Sequence, residues 1–208
     1  MKTVILSLCI LLTFTAVQAQ KIENVEWKHG SEITNVAGFL ALEVQDISLF
    51  GIIITGEELD KGIITQHIVK DGKEIANTPL PMLVKLALED GDPSRITLYA
   101  AAKQVNDSIH NFILSCENLF RHNQKFLINS PKNYILMETV VDKDNPDLPA
   151  SIIAYTTGLD IKYTMPSGEV VDATFYCGLR EAAVHPSLWA EKFPEIQDYI
   201  YYTFDPAP

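Results

Sequence analysis

The stretch from Asn106 to Phe126 constrains the fold more than any other part of the chain. Six of its apolar residues recur at the spacing of one face of an α-helix. They are Ile109, Phe112, Ile113, Cys116, Leu119 and Phe120. Asn106 suits an N-cap, and Arg121 and Lys125 would stand near the C-terminus, where the helix dipole favours cations. The sequence therefore predicts one central amphipathic helix.

Most of the remaining chain is typical of short strands joined by turns, because apolar and β-branched runs are bounded by Gly, Pro, Asn and Asp. Asp71-Gly72 and Pro166-Ser167-Gly168 are strong hairpin signals. Leu98, Ala101, Ala102 and Val105 also extend the helical stripe backward from Ile109, although a strand at residues 95–101 followed by a helix from near Lys103 or Asn106 is favoured. The predicted strands are residues 37–44, 49–55, 62–70, 82–88, 95–101, 134–141, 151–156, 159–165 and 169–177.

The C-terminal region has the pattern of short helices rather than strands. Pro186 and Pro194 can each occupy the first turn of a short helix, over residues 187–193 and 195–202. The fold class predicted for the whole chain is α+β: a mostly antiparallel β-sheet with several hairpins, packed by one central amphipathic helix, with a short helical C-terminal segment.

The first nineteen residues have the pattern of an export signal. Lys2 supplies a positive charge, an apolar run follows, and Val17 and Ala19 are the small residues of a cleavage site. Cleavage near Ala19/Gln20 would leave residues 20–208 as a single globular domain in the periplasm or outside the cell. The apolar run is too short for a comfortable membrane span, so no span is expected in the mature chain.

The chain is acidic, with 16 basic and 27 acidic residues and a net charge of −11. Removing Lys2 with the leader leaves 15 basic against 27 acidic residues, a net charge of −12. Such a surface repels phosphate backbones, so nucleic acid and anionic membranes are not expected partners. The expected partner is a protein or a glycan, and a homodimer is plausible if an outer sheet face is apolar.

Two cysteines, Cys116 and Cys177, remain after leader removal. Outside the cytoplasm such a pair can form a disulfide. Cys116 lies on the apolar helical stripe, and Cys177 ends a run whose inward face would be Val171, Ala173 and Phe175. Both cysteines would then point toward a core, either as a disulfide or as two buried thiols.

The loop from Val141 to Pro149 is the densest group of possible metal ligands. Its oxygen-bearing residues alternate as calcium ligands often do. They are Asp142, Asp144, Asn145 and Asp147. The loop lacks the glycine and the final glutamate of an EF-hand, so a solvated turn is the favoured interpretation. No cofactor is expected.

No recognised catalytic motif is present. The five histidines show no zinc-type spacing, and neither a GxSxG elbow nor a phosphate-binding glycine loop occurs. Cys116 and His122 would lie on different helix faces, so they do not predict a catalytic dyad. Glu57, Glu58 and Asp60 form the densest acidic group, which is typical of a charged loop. Because sequence cannot pair carboxylates across a fold, a hydrolase built on two of them remains the alternative.

The aromatic-rich C-terminus is the last candidate site. Trp189, Tyr201 and Tyr202 could form a stacking surface for sugar rings or a protein partner, although most such stripes are core. The sequence therefore predicts an exported, non-catalytic binding or accessory protein. A small carboxylate-based hydrolase acting outside the cytoplasm is the alternative.

Overall fold

The structure is a computed structural model that describes residues 22–29, 47–88, 92–106, 108–116, 120–128, 133–139, 145, 148–175 and 177–205. Its strands are β1 (Ile22–His29), β2 (Ser48–Gly56), β3 (Ile63–Lys70), β4 (Lys73–Leu80), β5 (Arg95–Asn106), β6 (Ile109–Cys116), β7 (Phe120–Leu127), β8 (Ile135–Met137), β9 (Ala150–Thr156), β10 (Leu159–Thr164), β11 (Val170–Phe175) and β12 (Tyr199–Asp205). Its helices are α1 (Pro81–Ala87), α2 (Cys177–Glu181) and α3 (Trp189–Lys192), with 3-10 turns at Leu59–Lys61 and Pro186–Leu188.

The strands form two five-stranded antiparallel sheets and one separate ribbon. The first sheet has the order β1-β2-β5-β6-β7, and the second has the order β4-β3-β12-β9-β8. Strands β10 and β11 pair with each other to make the two-stranded ribbon. The prediction of a mostly antiparallel sheet with several hairpins is confirmed.

A shared apolar core joins the two sheets face to face. Leu98 and Phe112 enter it from the first sheet, while Ile64 and Tyr202 enter it from the second. The Phe112 and Tyr202 rings stack with their centroids 5.0 Å apart. Because side chains alternate along a strand, each of these strands gives every second residue to this core.

The second sheet is also covered on its other face, by the segment that carries α2 and α3. Trp189 packs there against Tyr199, with ring centroids 5.5 Å apart. The Trp189 indole donates to the Val184 carbonyl at 2.9 Å, and the Tyr199 hydroxyl donates to the Pro186 carbonyl at 2.7 Å. Strand β12 therefore has both faces buried.

The predicted central helix is wrong: its residues form β6 and β7 of the first sheet. His110, Phe112, Leu114 and Cys116 point into the core, whereas the intervening residues of β6 are half-buried on the opposite face. The sequence of β6 is compatible with both the spacing of a helix and the alternation of a strand. Pairing with β5 selects the strand, because tertiary context overrides a weak local preference.

The hydrogen bonds of the Asn106 side chain resemble those of a helix N-cap. The side-chain oxygen of Asn106 accepts from the backbone N–H groups of Ser108 and Ile109, both at 2.9 Å. A helix N-cap makes the same kind of bond two or three residues ahead. Here the bonds close the turn between β5 and β6 instead.

Two further predictions are wrong. The strand predicted at residues 82–88 is wrong, because residues 82–87 belong to α1, with Pro81 in its first turn, and Leu88 forms only an isolated β-bridge with Ile96. The second C-terminal helix, at residues 195–202, is absent because Tyr199–Asp205 forms β12 between β3 and β9. The first one is confirmed in shortened form at residues 186–192. The expected leader and the strand at residues 37–44 lie outside the described residues.

Both predicted hairpin turns are confirmed. Asp71 and Gly72 have φ values of 50° and 70°, the left-handed pair that a two-residue hairpin turn needs. Gly168, with φ of 89°, lies in the turn between β10 and β11. In the part of the chain that the structure describes, no helix is long and apolar enough to span a membrane.

Candidate functional site

The β10–β11 ribbon separates its side chains sharply by polarity. Cross-strand partners share a face, and the apolar pairs are Leu159 with Phe175, Ile161 with Ala173, and Tyr163 with Val171. The alternate pairs are Asp160 with Thr174, Lys162 with Asp172, and Thr164 with Val170. We call the first set, extended by Met165 beyond the end of β10, the apolar face of the ribbon.

This apolar face is open to solvent. Tyr163 is 51% exposed, Met165 41% and Phe175 37%. Five of the nine exposed large hydrophobic residues among the described residues belong to the ribbon or its turn, four of them on the apolar face. Contiguous apolar surface of this kind is uncommon on a protein that meets only water, so this face is a candidate functional surface.

The polar face of the ribbon lines an open hollow of about 470 Å³. Asp160, Lys162, Asp172 and Thr174 contribute its polar groups. All four are exposed, and in the part of the chain that is described no group of three or more His, Cys, Asp or Glu residues could hold a metal ion. The hollow therefore offers no desolvated ligand site.

The base of the ribbon is fixed to the body through α2. A Cβ atom on Gly178 would lie 2.8 Å from the Leu159 side chain and 2.9 Å from the Phe175 ring, so the helix packs closely there. Arg180 of α2 donates to Glu138 at 3.1 Å, which ties this helix to the end of β8. The base of the ribbon is therefore packed against α2, and α2 is linked to the second sheet.

A chain of polar groups on the outer face of the second sheet is the nearest approach to catalytic machinery. His67 Nδ1 lies 2.9 Å from Glu74 Oε2, and the Tyr201 hydroxyl donates to the same oxygen at 3.3 Å. His67 Nε2 lies 2.9 Å from Thr203 Oγ1, and that hydroxyl donates to Asp205 Oδ2 at 2.9 Å. A carboxylate, an imidazole and a hydroxyl are thus in line, as in a nucleophilic triad.

The bonding of this chain opposes a nucleophilic role. The single hydroxyl hydrogen of Thr203 is donated to Asp205, so this hydroxyl does not donate to His67 Nε2 as a triad nucleophile would. Thr203 is also fully buried, and the Tyr201 ring stacks on His67 with centroids 4.4 Å apart. The arrangement ties β3, β4 and β12 together.

A second polar group lies between the sheets. His110 is fully buried, with its Nδ1 2.7 Å from the Tyr155 hydroxyl. Burial lowers the pKa of both His110 and His122, which favours the neutral imidazole in each. The Nε2 atoms of both rings lack a hydrogen-bond partner among the described residues. The Tyr202 hydroxyl accepts from Gln66 at 2.5 Å.

The predicted C-terminal binding surface is inside the protein. Trp189 is 1% exposed, Tyr201 2% and Tyr202 0%. Tyr202 points toward the first sheet, while Trp189 and Tyr201 belong to the cluster on the other side of the second sheet. These three residues are thus core, which the sequence indicated as the commoner outcome.

The remaining candidate residues are also dispersed. Cys116 is buried on the inward face of β6, Cys177 is exposed at the start of α2, and neither is in a disulfide. Asn145 accepts at its carbonyl from the Leu148 N–H at 3.1 Å, which is turn geometry. The other residues of the predicted calcium loop, Asp142, Asp144 and Asp147, lie outside the described residues.

The acidic group at residues 57–60 is a surface turn. Glu58, with φ of 53°, precedes the 3-10 turn and accepts from Lys61 at 2.7 Å. Leu59 is buried beneath it. This matches the loop or single helical turn that the sequence predicts there.

The ribbon itself was identified as a hairpin from the sequence, but its exposed face was not. The alternation predicts that Val171, Ala173 and Phe175 point into a core, but Phe175 is exposed and Val171 and Ala173 are half-buried. Comparison with protein-family models, curated proteins and solved structures finds no match for the chain. The exposed apolar face of the ribbon is therefore the leading candidate for a functional surface.

Proposed function

We propose that this chain is a non-catalytic binding or accessory protein that acts outside the cytoplasm and contacts a partner protein through the apolar face of the ribbon. The observation that carries the proposal is the exposure of Ile161, Tyr163, Met165 and Phe175 on one side of a projecting hairpin. The export pattern of the first nineteen residues supports the location.

The chemistry of the face favours a protein over a glycan. Sugar-binding platforms combine an exposed aromatic ring with polar groups that bond to hydroxyls. On this face Tyr163 and Phe175 have aliphatic neighbours, and Asp160, Lys162 and Asp172 lie on the other side, while Glu169 stands opposite Met165 at the turn end. An aliphatic and aromatic surface with charge only at its edge is typical of a protein interface.

The test is affinity capture from the periplasmic or secreted fraction of the source cells. The immobilised mature chain is compared with an Ile161→Thr, Tyr163→Thr variant, which keeps β propensity while removing apolar surface. Val170→Thr is the matched control, since Val170 is 59% exposed on the opposite face of the same ribbon. Partners should be retained by the wild type and the control and lost by the double variant.

Identical captured sets from all three proteins would contradict the proposal. Circular dichroism and the unfolding midpoint should be close to wild type in both variants, because surface substitutions at exposed strand positions rarely shift stability by more than about 0.5 kcal/mol. A loss of capture without a change in stability would therefore report on the surface.

The alternative, a carboxylate-based hydrolase, is supported by one arrangement: Glu74 and Asp205 are linked through His67 and Thr203. Paired carboxylates are the machinery of glycoside cleavage. A panel of chromogenic glycosides and esters tests it directly. Turnover by the wild type that falls at least about 100-fold in Glu74→Gln would favour the alternative over the binding proposal.

A further inference from the structure

The outer face of the first sheet differs in chemistry from the ribbon. Among the described residues, those of β5 and β6 that alternate with Leu98 and Phe112 point to this face and lie outside both apolar cores. We propose that the outer face of the first sheet binds an acidic polysaccharide, a polymer whose sugar rings carry carboxylate groups. The inference concerns a second surface and does not depend on the partner of the ribbon.

Charge is the first ground. Four exposed cations occupy outward positions of the sheet, and none of them forms an ion pair with another described residue. They are Lys28, Lys103, Arg121 and Lys125. Glu26 is the one acidic residue at an outward position in the registered strand pairs of this sheet. Arg95 also points outward but lies beside Asp92, so it is not counted with the four.

This face therefore contrasts with the rest of the protein. Setting the four cations and Glu26 aside leaves 11 basic and 26 acidic residues in the mature chain. A locally positive face on a negative protein favours an anionic occupant. In about 0.1 M salt, charges more than about 10 Å away are largely screened, so the acidic surface elsewhere does not cancel the attraction.

The spacing of the cations is the second ground. Lys28 and Arg121 lie at the two ends of one row of cross-strand neighbours, which also contains Gly51, Tyr99 and Ser115. The row crosses all five strands, so its ends are roughly 19 Å apart. Lys103 and Lys125 share another row, about 13 Å farther along β5, and lie about 10 Å apart. One small anion cannot contact all four cations, whereas a polymer with repeated carboxylates can.

The groups between the cations are the third ground, and they favour a glycan over an acidic protein. Tyr99 is half-buried in the middle of its row, and its Cε1 lies 3.9 Å from the position that a Cβ on Gly51 would take. Because glycine has no side chain, the ring is open on that side and can stack on a sugar ring. Asn111, Ser115 and Asn123 are on the same face and offer amide and hydroxyl groups for sugar hydroxyls.

Calorimetric titration of the mature chain with polygalacturonate tests the proposal, with uncharged galactan as the control polymer, in about 0.1 M salt. Wild type should bind polygalacturonate and not galactan. The double variant Lys103→Gln, Lys125→Gln should weaken binding at least about 10-fold. The matched control Lys162→Gln, Lys192→Gln removes the same charge from exposed positions elsewhere, and it should bind within about 3-fold of wild type.

Tyr99 separates a glycan from other anions. Tyr99→Ala should weaken binding to polygalacturonate at least about 5-fold, whereas Tyr99→Phe keeps the ring and should bind like wild type. Unfolding midpoints close to that of wild type show that a loss of binding is not a loss of folding.

Three results would overturn the inference. The first is a wild type that does not bind at about 1 mM galacturonate units. The second is equal weakening by the two double variants, which would show only the effect of net charge. The third is polyaspartate bound as tightly as polygalacturonate with no loss in Tyr99→Ala, which would assign the face to an acidic protein segment.

Discussion

Strand β12 and the β10–β11 ribbon are both rich in aromatic and β-branched residues, but they have opposite surroundings. In β12 the residues from Tyr199 to Phe204 are all buried, because β3 and β9 flank it while the first sheet and α3 cover its faces. In the ribbon every residue from Asp160 to Thr164 is exposed. Alternation along a strand thus identifies which side chains share a face. Whether that face is buried depends on elements from distant parts of the chain.

The largest expected difference in stability is between alanine substitutions of one tyrosine from β12 and one from the ribbon. Tyr202→Ala removes a fully buried ring that stacks on Phe112, and it leaves the Gln66 amide without its acceptor. We expect a loss of about 3–5 kcal/mol in the free energy of unfolding. Tyr163→Ala in the ribbon should lose less than about 1 kcal/mol. Urea denaturation of monomeric protein measures both, and similar losses at the two sites would contradict the contrast.

Alanine substitutions of two glycines, one packed against β12 and one in the ribbon turn, test the same difference in packing between the two regions. A Cβ on Gly62 would overlap the Phe204 ring at the end of β12, so Gly62→Ala should cost about 1–3 kcal/mol by overpacking. Gly168, at the ribbon turn, has open space around it but a φ of 89°. Gly168→Ala should cost only about 1 kcal/mol of backbone strain.

Thermal and urea melts should rank the two alanine variants in that order. A Gly62→Ala protein as stable as wild type would show that the Phe204 ring can move aside. It would mean that the end of β12 is packed more loosely than its burial indicates.

The pH dependence of stability should reflect the core rather than the ribbon. Burial lowers the pKa of His110 and of His122 below the ordinary value of 6.5, so the unfolded chain takes up protons that the folded chain does not. Stability should therefore fall as pH falls from 6.5 toward the lowered values, by at most about 1.4 kcal/mol per pH unit for each histidine.

The variant His110→Phe should reduce this slope between pH 6.5 and 5. The measurement is the urea midpoint against pH. A slope that survives unchanged in His110→Phe would contradict the role of burial.

The hairpins could be predicted from sequence because their determinants are local. Asp71-Gly72 adopts the left-handed pair that such turns require, and Gly168 does so in the ribbon turn. Asn106 indicates a helix start from the sequence, but the bonds that it makes in a turn are of the same kind, and the choice between helix and turn was not local. It depended on β5 and β7 lying on either side of β6.

The candidate site could be predicted only in part. The pairing of Tyr163 with Val171 follows from the position of the turn, so the apolar face was implicit in the sequence. Its exposure was not, since nothing local distinguishes Phe175 from the buried Phe204. The bonds that His67 makes with Glu74 and Thr203 join three strands, and sequence spacing gave no sign of them.

Hydroxyl-radical footprinting of wild-type protein at low concentration tests the central claim most directly. At about 1 µM, Tyr163 and Met165 should be oxidised readily while Tyr201 and Tyr202 are not. Protection of Tyr163 as complete as that of Tyr202 would contradict the account, because the apolar face of the ribbon would then already be covered within one chain.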